Sequence, residues 1–77
     1  MGLTEVVIRA EFPGGNANLF FRSFSEDDGK PVMAGEKEEA RVFNLSDRKD
    51  SNKFINALES CLNNPDLKDC EIITERK

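Results

Sequence analysis

Residues 46–65 read SDRKDSNKFINALESCLNNP, and the fold turns on how this stretch is read. Phe54, Ile55, Leu58, Cys61 and Leu62 fall at i, i+1, i+4, i+7 and i+8, one stripe of an amphipathic helix with Ala57 at its border. The run Ser46-Asp47-Arg48-Lys49-Asp50-Ser51 offers several N-cap side chains in succession. Asn63-Asn64-Pro65 stops the helix, because Pro disfavours continuation and Asn tolerates a left-handed cap. The spacing predicts one helix over residues 48–63, packed through Phe54, Ile55, Leu58 and Leu62 onto a sheet.

The segments before it supply the strands. Residues 4–12 alternate, with Val6, Ile8, Ala10 and Phe12 on one face and Glu5, Val7, Arg9 and Glu11 on the other. Pro13-Gly14-Gly15-Asn16 breaks this strand. Residues 17–25 form a second strand in which Leu19, Phe20 and Phe21 are consecutive and must reach both faces. Glu26-Asp27-Asp28-Gly29-Lys30 signals a hairpin, its Asp-Gly pair favouring a tight primed turn. Over residues 30–45, Pro31-Val32-Met33-Ala34 and Ala40-Arg41-Val42-Phe43-Asn44-Leu45 read as strand. Gly35 and Glu36-Lys37-Glu38-Glu39 interrupt them, giving either one bulged strand or two short strands around a charged bend. The helix-favouring residues from Glu36 to Arg41 also allow a short helical turn.

Beyond the helix, Leu67 is expected to fold back onto the core. Residues 69–75 then alternate Cys70, Ile72, Thr74 against Glu71, Ile73, Glu75 as a last strand. The fold class is α+β, in the order β-β-β-α-β. Two hairpins make strands one and three run the same way. A right-handed crossover through the helix to a parallel last strand then gives the spatial order 4-1-2-3, with the helix on one face.

Composition bounds the function. Seventy-seven residues hold one core, and a chain this short buries roughly 60% of its unfolded surface, leaving little wall for deep pockets. With 38% hydrophobic and 34% charged residues the chain is too apolar and too evenly mixed for a disordered tail. Its longest apolar runs are three residues, too short to span a membrane. Met1-Gly2-Leu3-Thr4-Glu5 lacks the basic and long apolar regions of a signal peptide, and Val6 stands where myristoylation prefers Ser or Thr. A cytoplasmic protein is expected, in which Cys61 and Cys70 are reduced thiols; the alternative is one disulfide between them.

The inventory argues against catalysis and against cofactors. No His is present to act as a general base near neutral pH, and a structural zinc site would lack ligands. Gly14-Gly15 has neither the glycine spacing nor the Lys-Ser/Thr ending of a phosphate loop, and Asp27-x-Gly29 lacks the spaced oxygens of a calcium loop. Cys61, on the apolar stripe, reads as a small hydrophobe with a raised pKa. No catalytic, cofactor or metal residue is assigned.

Binding residues are better supported. If Leu19, Phe21 and Ser23 face the helix, Phe20, Arg22 and Phe24 lie on the open face of the sheet. There they could anchor a protein partner or stack single-stranded bases; in the opposite register Phe20 and Phe24 belong to the core. Glu26, Asp27, Asp28, Glu36, Glu38 and Glu39 form an acidic rim toward one edge. Such a rim could engage a basic groove that normally holds nucleic acid, or could simply discourage aggregation through the edge. In size, acidity and plan the chain is similar to small phage-encoded inhibitors, anti-CRISPR proteins among them, a likeness of scale carried by no motif. The expected function is a small acidic protein-binding module, an inhibitor or regulator of a target that handles nucleic acid. The alternatives are a nucleic-acid-binding sheet and a subunit of a symmetric assembly such as a homodimer. With a net charge of −4, nucleic acid is the less favoured partner.

Overall fold

The computed structural model describes residues 4–15 and 17–77; Met1, Gly2 and Leu3, and Asn16 of the first turn, lie outside the described residues. The elements are β1 (Glu5–Glu11), β2 (Asn18–Phe24), β3 (Pro31–Ala34), a 3-10 turn (Lys37–Glu39), β4 (Phe43–Asn44), α1 (Arg48–Leu62), a second 3-10 turn (Pro65–Leu67) and β5 (Glu71–Arg76). Among the described residues they form one antiparallel five-stranded sheet with a single α-helix.

β1 is shared by three partners. β5 runs antiparallel along it from Val6↔Arg76 to Glu11↔Glu71. β2 takes Arg9, Ala10 and Glu11, while β4 takes Glu5 and Val6. The backbone bonds assign the edges. Phe12 N–H donates to Ala17 O and Leu45 N–H to Thr4 O, whereas Lys77 N–H donates to Glu5 O. Successive residues of a strand direct their polar groups to opposite edges. The even-numbered residues of β1 therefore serve β2 and β4, and the odd-numbered ones serve β5. β2 leaves β1 after Phe20, and the chain ahead of β4 fills the gap, so that Arg41 N–H donates to the Phe21 carbonyl at 2.9 Å.

This arrangement corrects one expectation. β5 lies beside β1, as the order 4-1-2-3 requires, but it is antiparallel to it, not parallel. Of the two readings of residues 30–45, the bulged single strand fails and two short strands, β3 and β4, stand on either side of the charged segment from Gly35 to Val42. That segment adds a third reversal, so β4 opposes β1, and the crossover through α1 delivers β5 parallel to β4. The short helical turn expected here is present at Lys37–Glu39. The hairpin between β2 and β3 also differs from a primed turn: Glu26–Gly29 make a four-residue loop closed by Ser25 N–H to Lys30 O, and only Gly29 takes positive φ. A primed type I turn would place Asp28 there as well, a conformation that costs a residue with a Cβ.

The helix starts where the caps predict. Asp47 accepts the Lys49 N–H at 3.3 Å. It ends at Leu62 with Asn63 still in the right-handed region, not the left-handed one. Pro65 is what forces the stop, since it drives Asn64 into an extended conformation, from which the Asn64 side chain caps the next turn. The stripe that faces the sheet is rotated from the one expected. Ala57 and Cys61 are fully buried, with Phe54 and Leu58 beside them, whereas Ile55 is 47% and Leu62 60% exposed. Small residues at the centre of the contact let the helix backbone approach the sheet closely, and the larger side chains are left on its flank and back.

The main core joins Val6, Ile8 and Ala10 of β1 to Phe21, Phe43, Ala57, Cys61 and Leu67, the last as expected. Phe43 is its hub, stacked on Phe21 at 5.8 Å and edge-on to Phe54 at 5.5 Å. The other sheet face is not open. Val7, Phe20 and Ala34 are buried there, outside the main cluster. The segment after β3 straps across them, because Lys37 reaches β5, bonding Glu75 Oε2 at 2.8 Å and the Arg76 carbonyl at 2.9 Å. Arg9 Nε lies 3.2 Å from Glu75 Oε1 and, although buried, makes no aligned hydrogen bond; its Nη1 bonds Glu11 at 3.1 Å.

Two consequences are measurable. Phe43→Ala should cost about 3–5 kcal/mol in chemical denaturation, whereas Leu62→Ala should stay within about 0.5 kcal/mol; equal losses would mean the helix face is wrong. The Lys37 ammonium bonded to Glu75, with Arg9 beside it, holds the Glu75 carboxyl below the ordinary glutamate range. A lowered folded-state pKa contributes stability above the ordinary value and loses it as pH falls through the folded one. Glu75→Gln should therefore lower Tm at pH 7 by no more than about 4–8 °C. The gap should close as pH is taken below the unfolded glutamate value, about 4.3; a gap independent of pH would place Glu75 away from both cations.

Candidate binding cleft

A bulge in β2 creates the cleft. Phe21 pairs with Met33, but the next pair is Ser23↔Val32, so β2 advances two residues while β3 advances one and Arg22 is extra. Side chains alternate between faces along a strand, and an extra residue shifts everything after it. Phe20, paired with Ala34 and Arg9, lies on the strapped face. Phe24, paired with Pro31, shares the face of Met33 and hence of Phe21. The rings confirm the swing: Phe24 meets Phe21 edge-on, with centroids 5.1 Å apart.

The expected open-face trio is therefore dispersed. Phe20 is only 8% exposed, under the strap; Arg22 is exposed at the bulge; Phe24 is 42% exposed and belongs to the helix side. Glu26, Asp27 and Asp28 are exposed in the loop before β3, and Glu36, Glu38 and Glu39 are exposed on the strap after it. The two acidic groups thus flank the short edge strand β3 at its two ends and do not converge. Asp28 is partly occupied: it accepts the Lys30 N–H at 3.0 Å, which holds its carboxyl below the ordinary aspartate range.

Between the end of β2 and α1, a cleft of about 380 Å³ is walled by Phe21, Phe24 and Phe43, with Ser23, Arg41, Lys53 and Asn56 completing it. Arg41 is held from two sides. Its Nη2 bonds Asp50 Oδ1 at 2.7 Å, and its guanidinium lies 4.6 Å from the centroid of the Phe43 ring. Asp50 is fixed in turn, since its second oxygen accepts the Asn44 N–H at 2.7 Å. This clamp ties the first turn of α1 to β4 and orients a planar donor at the mouth of an aromatic pocket. Lys53 adds a second cation and makes no ion pair among the described residues. Sequence reading missed Arg41, Phe43 and Lys53 as partners of Phe24, because no local pattern places the gap between β2 and β1 against the helix.

The cleft sets an apolar aromatic wall beside two cationic side chains. Its lining contains no carboxylate and no thiol. Cys61 is buried, and burial pushes its thiol up to about 11; Cys70 is half-buried and also raised; both are free. Among the described residues no group of three or more Cys, Asp or Glu gathers as a metal site, and no helix is long and apolar enough to cross a membrane. Compared with known proteins, the chain matches no family, no curated relative and no solved structure.

Proposed function

We propose that the chain is a cytoplasmic protein-binding module without catalytic chemistry of its own, which seats an apolar side chain of its partner in the Phe21–Phe24–Phe43 cleft. The observation that carries this reading is the pairing of an accessible aromatic wall with a fixed guanidinium and with an ammonium that has no ion pair among the described residues, in a chain whose net charge is −4. Aromatic rings and Arg concentrate at protein interfaces, where each anchor fills a pocket and charges set its orientation. The partner segment presents a carboxylate beside the anchor, to meet Lys53, while Arg41 stays paired with Asp50 and lends its planar edge to the rim. The exposed acids at the ends of β3 supply attraction to cations elsewhere on the same partner, as a protein that handles nucleic acid would offer. On this reading the module is an inhibitor or regulator of such a target.

Direct binding of single-stranded nucleic acid has less in its favour. It needs a row of exposed rings and a cationic path. Phe20 is buried, Arg9 is engaged by Glu11 and Glu75, and Arg41 by Asp50. Selection of a displayed random-peptide library on the purified chain is expected to enrich an apolar residue next to Asp or Glu. The recovered peptides should bind about tenfold or more weakly to Phe24→Ala and to Lys53→Glu. Single-stranded oligonucleotides should show no measurable binding at physiological salt. Peptides indifferent to both substitutions, or micromolar, salt-sensitive oligonucleotide binding, would reverse the assignment.

A further inference from the structure

β5 has one edge occupied by β1, and no strand pairs with the other among the described residues; the one side chain bonded there is Lys37, whose Nζ donates to the Arg76 carbonyl at 2.9 Å. The hydrogen-bond phase shows what that outer edge carries. Glu5 and Lys77 extend the β1–β5 register, and Lys77 N–H donates to the Glu5 carbonyl at 3.2 Å. In an antiparallel ladder, opposed residues that exchange bonds alternate with opposed residues that do not. Glu75, Ile73 and Glu71 therefore bond to β1, and Arg76, Thr74 and Ile72 direct their N–H and C=O groups outward. The strand contains no Pro and shows no register shift against β1, so the edge is unbroken over its six residues.

We infer that this edge pairs with the same edge of a second copy, antiparallel about a two-fold axis through Thr74. The phase restricts the choice, because outward-directed residues must oppose outward-directed residues. Placing Thr74 opposite Thr74 of the second copy sets Ile72 opposite Arg76 in both directions, and all three outward residues are bonded, the Arg76 carbonyl accepting the Ile72 N–H on the lone pair that Lys37 leaves open. The intervening residues then fall as Glu71 opposite Lys77 and Ile73 opposite Glu75, again in both directions. The Glu71–Lys77 pairs are of opposite charge, and Glu75 is already balanced by Lys37 and Arg9. The neighbouring allowed registers are worse. A slip one way sets Glu71 opposite Glu75, and a slip the other way sets Glu75 opposite itself, contacts between like charges that oppose pairing. The charges that would blunt this edge against other strands are thus self-complementary in one register, the property an isologous interface requires. The pairing joins two five-stranded sheets edge to edge and leaves the cleft between β2 and α1 free, so it stands apart from the proposed function.

Sedimentation velocity on the full chain over a concentration series tests this. The expected result is a reversible species of twice the 8.7 kDa chain mass. Thr74→Pro removes an outward N–H without touching the β1–β5 ladder, a position where an edge strand tolerates Pro. It should leave the far-ultraviolet circular dichroism unchanged and abolish the dimer. Glu71→Lys should weaken the dimer about tenfold, through two lost attractions and two new repulsions, and adding Lys77→Glu should restore it. If Thr74→Pro fails to fold, the charge-swap series still decides. A wild-type chain that stays monomeric at about 1 mM, or a dimer indifferent to Glu71→Lys, overturns the inference.

Discussion

Strand β1 has two edges and three partners, and the rest of the structure follows from how it divides them. β5 claims one edge throughout. On the other, β2 can hold only the half from Arg9 to Glu11, because β4 is bonded to Glu5 and Val6. β2 must therefore depart from β1 after Phe20. The carbonyl it exposes at Phe21 would be a buried acceptor without a donor, a cost of about 1–3 kcal/mol, and the Arg41 N–H meets it. The departure opens the space in which Phe43, Phe21 and Phe24 converge, and the Arg22 bulge turns Phe24 into it. The cleft is a consequence of that branching, not an addition to the sheet.

The strap from Gly35 to Val42 is the second half of the same solution. A sheet with a helix on one face leaves the other to water, and Val7, Phe20 and Ala34 would make an exposed apolar patch there. The strap covers them and is tied down by Lys37 to the far strand, where Glu75 draws on both Lys37 and Arg9. Its acids, Glu36, Glu38 and Glu39, point to solvent. The surface that alternation alone offers as a binding platform is thereby closed, and the accessible aromatic surface moves to the helix side.

Much of this was legible in the residues. Strict alternation marks β1, the caps and Pro65 bound α1, and Leu67 returns to the core as its isolation in a polar stretch suggests. What was not legible shares one physical origin: it was decided by tertiary contacts with no local signature. Arg22 is an ordinary strand residue, so the bulge leaves no glycine to announce it, yet it exchanges the faces of every later residue in β2. The choice of Ala57 over Ile55 for the buried face rests on how closely the helix can approach the sheet, which the apolar spacing of 54, 55, 58 and 62 does not encode. The antiparallel β5 depended on counting reversals, and the third lies in a segment whose composition reads equally as bend, bulge or turn.

Amide hydrogen exchange followed residue by residue by NMR tests the branching of β1 most directly. Arg41 sits outside any regular strand, between the exposed strap and β4, and without the Phe21 carbonyl its N–H would face water. The branched arrangement predicts that Arg41 exchanges with the slow amides of Val7 and Arg9, which bond to β5, in the range set by global unfolding, while Glu36 and Glu38 exchange fast. An Arg41 amide as fast as those of the strap would mean that β4 does not lie between β1 and the departing β2, and the cleft would have no floor.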